Sequence, residues 1–390
     1  MEFREAIVSG LHLPLAEHRA AEHADQTFRA ILPLARRARI TRLADLTGLD
    51  RIGLPVAQAV RPGAQSEVTS LGRGFSPTEA AIGAIMESLE RFYAESIPPD
   101  RVFLATADEL GIVAGLFENL VLPDHLNGWR TIRTAWINGV DVLAGSIQPV
   151  PLELVHTCYT DPPLAHDGLF LRSTTGLACH RTVYDAFLHG IFECIERDAM
   201  ARAFATHGFF DRMRIASRGL GGTVDHILSL AGEHGISVGF WCAVSTAEVP
   251  VVWCQTIEAG AREPILALPT EGYAAGSTIE IAAKSALLEA LATRAGAISG
   301  ARDDQTTRHY TKRTNVIVEK ARSLILEGVS TMPSALTRTR IVSDLGELID
   351  RITSAGLGPI LAVSVASDAE TGIQCVRTVL PGARPFSILR

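Results

Sequence analysis

An α+β fold, with mixed β-sheets flanked by helices, is what this sequence predicts, and three observations point there. Strand-like and helix-like stretches alternate along the 390 residues without a strict strand–helix–strand rhythm, which argues against a wholly parallel sheet. Alternating stretches at 238–245 and 250–257, joined by a short polar turn, read as a hairpin. Finally, one helical segment is written twice, at 76–91 and at 182–197.

Taken in order, the first forty residues mix Ala, Leu and Arg and read as helix. They are expected to form a peripheral N-terminal helical extension over 1–39, followed by a domain over 40–390. Residues 52–62 read as a short strand broken by Pro55. The two echoed segments each open on a hydroxyl N-cap, Ser76 and Thr182, with an acid three positions on, Glu79 and Asp185. That is the capping-box arrangement, and Pro77 sits at the first helical position, where its missing N–H costs nothing. Both then run apolar and close on Glu-x-x-Glu-Arg: Glu87, Glu90 and Arg91, then Glu193, Glu196 and Arg197. A weaker third copy at 286–294 keeps only the first acid, Glu289. Towards the end, a helix near 342–354 precedes apolar strands at 358–365 and 372–380.

Composition narrows the function. With 47% hydrophobic and 20% charged residues the chain has material for a substantial core. A formal charge of −7 argues against nucleic acid or anionic membrane as a partner, because both demand a dense basic footprint. No uninterrupted apolar run is long enough to span a bilayer. Glu2, Arg4 and Glu5 break any secretory pattern at the N-terminus. The six cysteines are scattered without C-x-x-C, so reduced thiols and a cytoplasmic location are expected, and zinc is not. Gly-x-Ser-x-Gly is absent, and Cys179-His180 are sequence neighbours, which seldom form a catalytic pair.

The echoed acids carry the chemistry. Residues three apart on a helix share a face, so Glu87 projects with Glu90 and Glu193 with Glu196. One turn earlier on those faces stand Gly83 and His189. The helices are otherwise poor in charge and so bury most of their circumference. Enclosed carboxylates repel one another unless compensated, and a hard divalent cation such as magnesium is the natural compensator. The competing interpretation is an ion-paired surface stripe in which each arginine neutralises its acids. Gly-rich turns at 70–74 and 173–176 precede the two helices and could cradle anions, although neither has Walker or dinucleotide spacing. A third turn, Ser299-Gly300-Ala301-Arg302-Asp303-Asp304, follows the third helix and reads equally as a helix cap.

These pieces together resemble the YcaO family. The resemblance runs through Ile40-Thr41-Arg42, Thr47 to Val56, Gly72-Arg73-Gly74 with Glu87 and Glu90, and Ser173-Thr174-Thr175-Gly176-Leu177-Ala178. It continues with His189-Gly190, Glu193 to Ala199, the turn at 299–304, and Leu380-Pro381-Gly382, all in the family's order. It implies a YcaO-type fold with the repeated helix motif around an ATP site, where Glu87, Glu90, Glu193 and Glu196 hold magnesium ions bridging the triphosphate. It assigns nucleotide contacts to Arg73, where members usually have lysine, and to His189, Arg197, Arg294 and Arg302.

The implied activity is ATP-dependent O-phosphorylation of backbone amides in a ribosomally made precursor peptide, giving an azoline, thioamide or amidine. Two departures stand out. Gly83 replaces a usual serine, and Ala292 replaces a usual glutamine two positions before Arg294. The C-terminal Pro385-Phe386-Ser387-Ile388-Leu389-Arg390 lacks the proline-rich tail of azoline-forming members, and no activating-enzyme-like domain is fused. Both features favour the stand-alone, thioamide-associated type, with a TfuA-like or leader-binding partner and a homodimer as expected assemblies. The rival to catalysis is a degenerate member serving as a peptide-binding or partner-binding scaffold, for which Gly83 and Ala292 are the support. A third alternative is an unrelated α+β metalloenzyme.

Overall fold

The computed structural model describes residues 2–15, 24–259, 265–266, 268–301, 316–326 and 339–386. Three sheets organise them. The first runs β1 (Arg42–Asp45), β2 (Val56–Val60), β3 (Thr69–Arg73). The second runs β4 (Val102–Ala105), β5 (Thr134–Asp141), β12 (Leu361–Ser367), β13 (Gln374–Val379), β7 (Leu177–His180), with β6 (Ile147–Pro151) also on β5. The third runs β11 (Thr270–Ala275), β10 (Pro250–Glu258), β9 (Ile236–Val244), β8 (Arg214–Ile215). The hairpin read from the sequence is β9–β10, with Val244 opposite Pro250.

The fold is α+β as expected, but the sheets are not mixed: every ladder among the described residues is antiparallel. Parallel neighbours need a helix that crosses back over its own sheet. Here the long helices lead away instead. After β3, α3 (Pro77–Glu95) delivers the chain to the second sheet; after β7, α4 (Val183–Phe204) delivers it to the third. The short helices α5 (Phe209–Arg212) and α6 (Gly222–Glu233) flank β8, and after β11, α7 (Ile279–Ser299) begins the return to the second.

The capping signals act as read. Ser76 Oγ accepts from Glu79 N at 3.2 Å, and Thr182 Oγ1 accepts from Asp185 N at 3.0 Å. Neither N-terminal helix is loosely appended. Ile7 of α1 (Glu2–Val8) packs with Phe187 and Ile191 of α4, while Ile31 and Leu34 of α2 (Ala24–Arg37) pack with Ile85 and Leu89 of α3. Among the described residues no helix is long and apolar enough to cross a membrane.

Candidate active site

The site is built from one unit used three times. In each sheet an edge strand (β3, β7 or β11) turns directly into a long helix capped by a hydroxyl residue: Ser76, Thr182 or Thr278. Each helix rests on its own strand and also touches the next, α3 on β7, α4 on β11 and α7 on β3. The three units therefore close on one another like a pinwheel. Eleven residues beyond each N-cap stands a glutamate: Glu87, Glu193 and Glu289. Fourteen beyond stand Glu90, Glu196 and, in α7, Ala292.

Edge strands leave amide N–H groups without a ladder partner, and the glutamates answer them. Glu87 Oε2 accepts from Leu71 N at 3.0 Å, Glu90 Oε1 from Cys179 N at 2.9 Å, and Glu193 Oε2 from Gly176 N at 2.9 Å. Glu90 thus leaves its own unit and ties α3 to β7. Glu289 is bound from the first sheet, by Arg73 Nη2 at 3.1 Å.

The acids share one electrostatic field. Burial holds Glu90 well above the usual carboxylate range, and the charges of Glu87 and Glu193 push it further, against Cys179 N–H and Arg91. Burial likewise pushes Glu196 up to about 8, with Glu289 and Glu193 adding to it and Arg197 and Arg73 opposing. Glu87 is raised by burial despite Arg91. Carboxylates from three helices therefore repel one another inside the fold, which is a shortage of positive charge.

The arginines meet part of that shortage. Arg91 Nη2 lies 3.1 Å from Glu87 Oε1, and Arg197 lies 3.6 Å from Glu193 and 3.4 Å from Glu196. The ion pairing of the surface-stripe interpretation is thus real, but on α4 it is enclosed, with the Glu196 side chain 10% exposed, while on α3 Glu87 is more open at 37%. Burial opposes the charge on Arg197, yet Glu196, Glu193 and Glu289 outweigh it, and its guanidinium also lies over the Tyr273 ring, 5.9 Å from the centroid.

Other expected residues fall in different places. His189 stands on α4 one turn before Glu193, with Nδ1 2.9 Å from His180 Nε2. Arg294 is enclosed and ion-paired with Glu258 of β10, so as placed it braces α7. Arg302, with Asp303 and Asp304, lies outside the described residues. Glu289 was seen in the sequence only as a remnant; its distance from Thr278 is the signal that would have placed it in the site. Tyr273, on β11, carried no sequence signal.

Gly83 has a packing explanation. A Cβ on it would come within 3.1 Å of Gly72 Cα, and one on Gly72 within 1.9 Å of Ala80 O. Strand and helix touch backbone to backbone here, which a serine at 83 would force apart.

Among the described residues no three His, Cys, Asp or Glu side chains converge tightly enough to enclose an ion unaided. Paired hard oxygens short of positive charge nonetheless fit magnesium, which takes a few carboxylates and fills its other positions with water and phosphate oxygens. A family model described as YcaO cyclodehydratase, ATP- and Mg2+-binding, matches residues 71–384. The chain belongs to the YcaO family. ATP and Mg2+ are the cofactors of this YcaO protein, as the sequence led us to expect.

An uncharacterised protein of Methanothermobacter thermautotrophicus is 30% identical over 95% of this YcaO chain and 96% of its own. A protein encoded in the tfuA 3' region of Rhizobium leguminosarum bv. trifolii is 28% identical, over 92% of this chain and 86% of its own. The structure of YcaO from Methanopyrus kandleri, bound with AMPPCP and Mg2+, superposes with a TM-score of 0.69 at 21% identity, over 94% of each chain, and so shares the fold.

Proposed function

We propose that this YcaO protein activates backbone amides of a ribosomally made peptide by O-phosphorylation, leading to a thioamide or an azoline. The observation that carries this reading is the meeting of Glu87, Glu90, Glu193 and Glu196 from two helices of different sheets, with Glu289 joining from a third. ATP with Mg2+, when bound, supplies the phosphoryl group that turns a poor leaving group, the amide oxygen, into a good one. The chain's own part is positioning and charge. The glutamate pairs offer hard oxygens to metal, and their anchoring to strand-edge amides fixes them before any ligand arrives. Arg73 and Arg197 supply positive charge beside the acids, and in this reading they would offset the negative charge that phosphate oxygens add. His189, Arg294 and Arg302 remain nucleotide contacts by resemblance only.

A TfuA-like protein is the partner we favour, supported by the relative encoded beside tfuA. A cytoplasmic setting is supported by six cysteines that are all free and buried. One of the scaffold reading's two supports is weakened, because the close approach of Gly72 gives Gly83 a packing reason; Ala292 stands. The test is ATP turnover with peptide and partner present. Glu193→Gln and Glu196→Gln should each lower it roughly 100-fold or more while leaving the fold intact; a folded variant with full turnover refutes the metal site. Calorimetry with Mg-ATP addresses the scaffold, which predicts no binding heat.

A further inference from the structure

One buried group has no counterpart anywhere in the carboxylate cluster. Arg377 of β13 is 3% exposed, and its Nη2 donates to Ser173 O at 2.7 Å. Its Nε and Nη1 are buried and without a partner, and no acid pairs with it among the described residues. Close by, the Tyr159 hydroxyl is also buried and unpartnered. The exposed Arg172 lies over the Tyr159 ring at 5.4 Å. The charges that act most on Tyr159 are positive, Arg377 first, then Arg172 and Arg91, with only Cys158 opposing them. Burial pushes the phenol up to about 12, so its O–H is a donor at neutral pH. Arg91, in contrast, is fully engaged by Glu67 and Glu87.

A buried guanidinium with no acid beside it and two nitrogens unpartnered is costly, and a native fold normally supplies such a group with a partner. The available groups are all donors: two guanidinium N–H directions and a phenolic O–H, with a second guanidinium on the solvent side. That set excludes cations and recommends a compact anion rich in acceptor oxygens. We propose that Arg377, Tyr159 and Arg172 form a pocket for a phosphate-type oxyanion, entered past Arg172 and floored by Arg377. The pocket adjoins the carboxylate cluster without including any of it. Ser173, which accepts from Arg377, begins the loop whose Gly176 N holds Glu193. An anion seated there would therefore brace the same loop that positions a metal-site acid.

The test needs neither nucleotide nor magnesium, so it stands or falls apart from the proposed activity. Inorganic phosphate is titrated into the full chain in a chelating buffer, followed by calorimetry and by thermal melting. Saturable phosphate binding is expected, weakened at least about tenfold by Arg377→Gln and several-fold by Tyr159→Phe, which removes one oxygen and leaves the fold undisturbed. Phosphate should also raise the melting temperature of the parent chain and not of Arg377→Gln. No saturable binding, or equal binding by Tyr159→Phe and Arg377→Gln, overturns the pocket and leaves it water-filled. Repeating the titration with a non-hydrolysable ATP analogue and Mg2+ separates the sources. Displacement of phosphate assigns the pocket to the nucleotide's terminal phosphoryl group; simultaneous binding assigns it to free phosphate.

Discussion

The helices α3 and α4 and the helix α7 are the same piece of architecture put to different use. All three start on a hydroxyl cap, follow an edge strand and present a glutamate eleven residues on. Three residues further, α3 and α4 present a second acid, whereas α7 presents Ala292, 1% exposed against Leu46, Val56 and Ala295. Glu87, Glu90 and Glu193 hold backbone amides, and the arginines paired with the acids of α3 and α4, Arg91 and Arg197, sit on those same helices; Glu289 is ion-paired with Arg73 of β3. Two arms therefore present two acids each, beside an arginine of their own helix. The third closes the ring with a single acid whose counter-charge comes from the first sheet.

The largest expected effect separates the arms directly. Glu196→Gln should lower ATP turnover roughly 100-fold or more, as loss of a group that meets developing charge does, whereas Glu289→Gln should cost only about tenfold. Equal losses would make α7 a full third arm.

Next comes stability against pH in metal-free protein. Glu196 binds its proton more tightly folded, near 8, than its ordinary value of 4.5. The unfolded chain therefore loses that proton first, and stability falls as pH rises from about 4.5 to about 8, then levels. Thermal melting in chelator should show this decline. Glu196→Gln should lessen it, leaving the share of Glu90 and Glu87, and Mg2+ with nucleotide should reverse it; a profile rising with pH over that range would contradict the shared field.

Packing gives a smaller contrast. Gly72→Ala should cost about 3 kcal/mol, since its Cβ would strike helix backbone, and Gly83→Ser about 1 kcal/mol, since only a slight parting of strand and helix is needed. Chemical denaturation measures both; a stabilised Gly83→Ser would return that position to the scaffold argument. The smallest effect belongs to Arg73→Lys. The Arg73–Glu289 pair is about one-third exposed on each side, so its replacement should change stability by less than about 1 kcal/mol and leave turnover nearly unaltered.

Much of the site could be read in advance because it is local. Hydroxyl caps, the three-residue spacing of acids and the apolar run between them are statements about one helix at a time, and α3 and α4 formed as written. The acid pairs on one face followed from helical geometry alone. Arg294 shows where local reading stops: the resemblance assigns it a nucleotide contact, but its ion pair with Glu258, on a strand thirty-six residues away, could not be read from the helix. Sheet pairing was misjudged for the same reason, since where a helix delivers the chain is not encoded in its own residues.

By itself, then, the sequence determined the repeated strand-to-helix unit, the identity of its acids and the family they belong to, because capping and periodicity act over a few residues. Only the tertiary structure decided that the three units close into a ring. It alone brought Glu90 to the amide of Cys179, drew Glu289 into the field and left two nitrogens of Arg377 without a partner. Those contacts join residues far apart in the chain, and they exist only once the edges of three sheets have met.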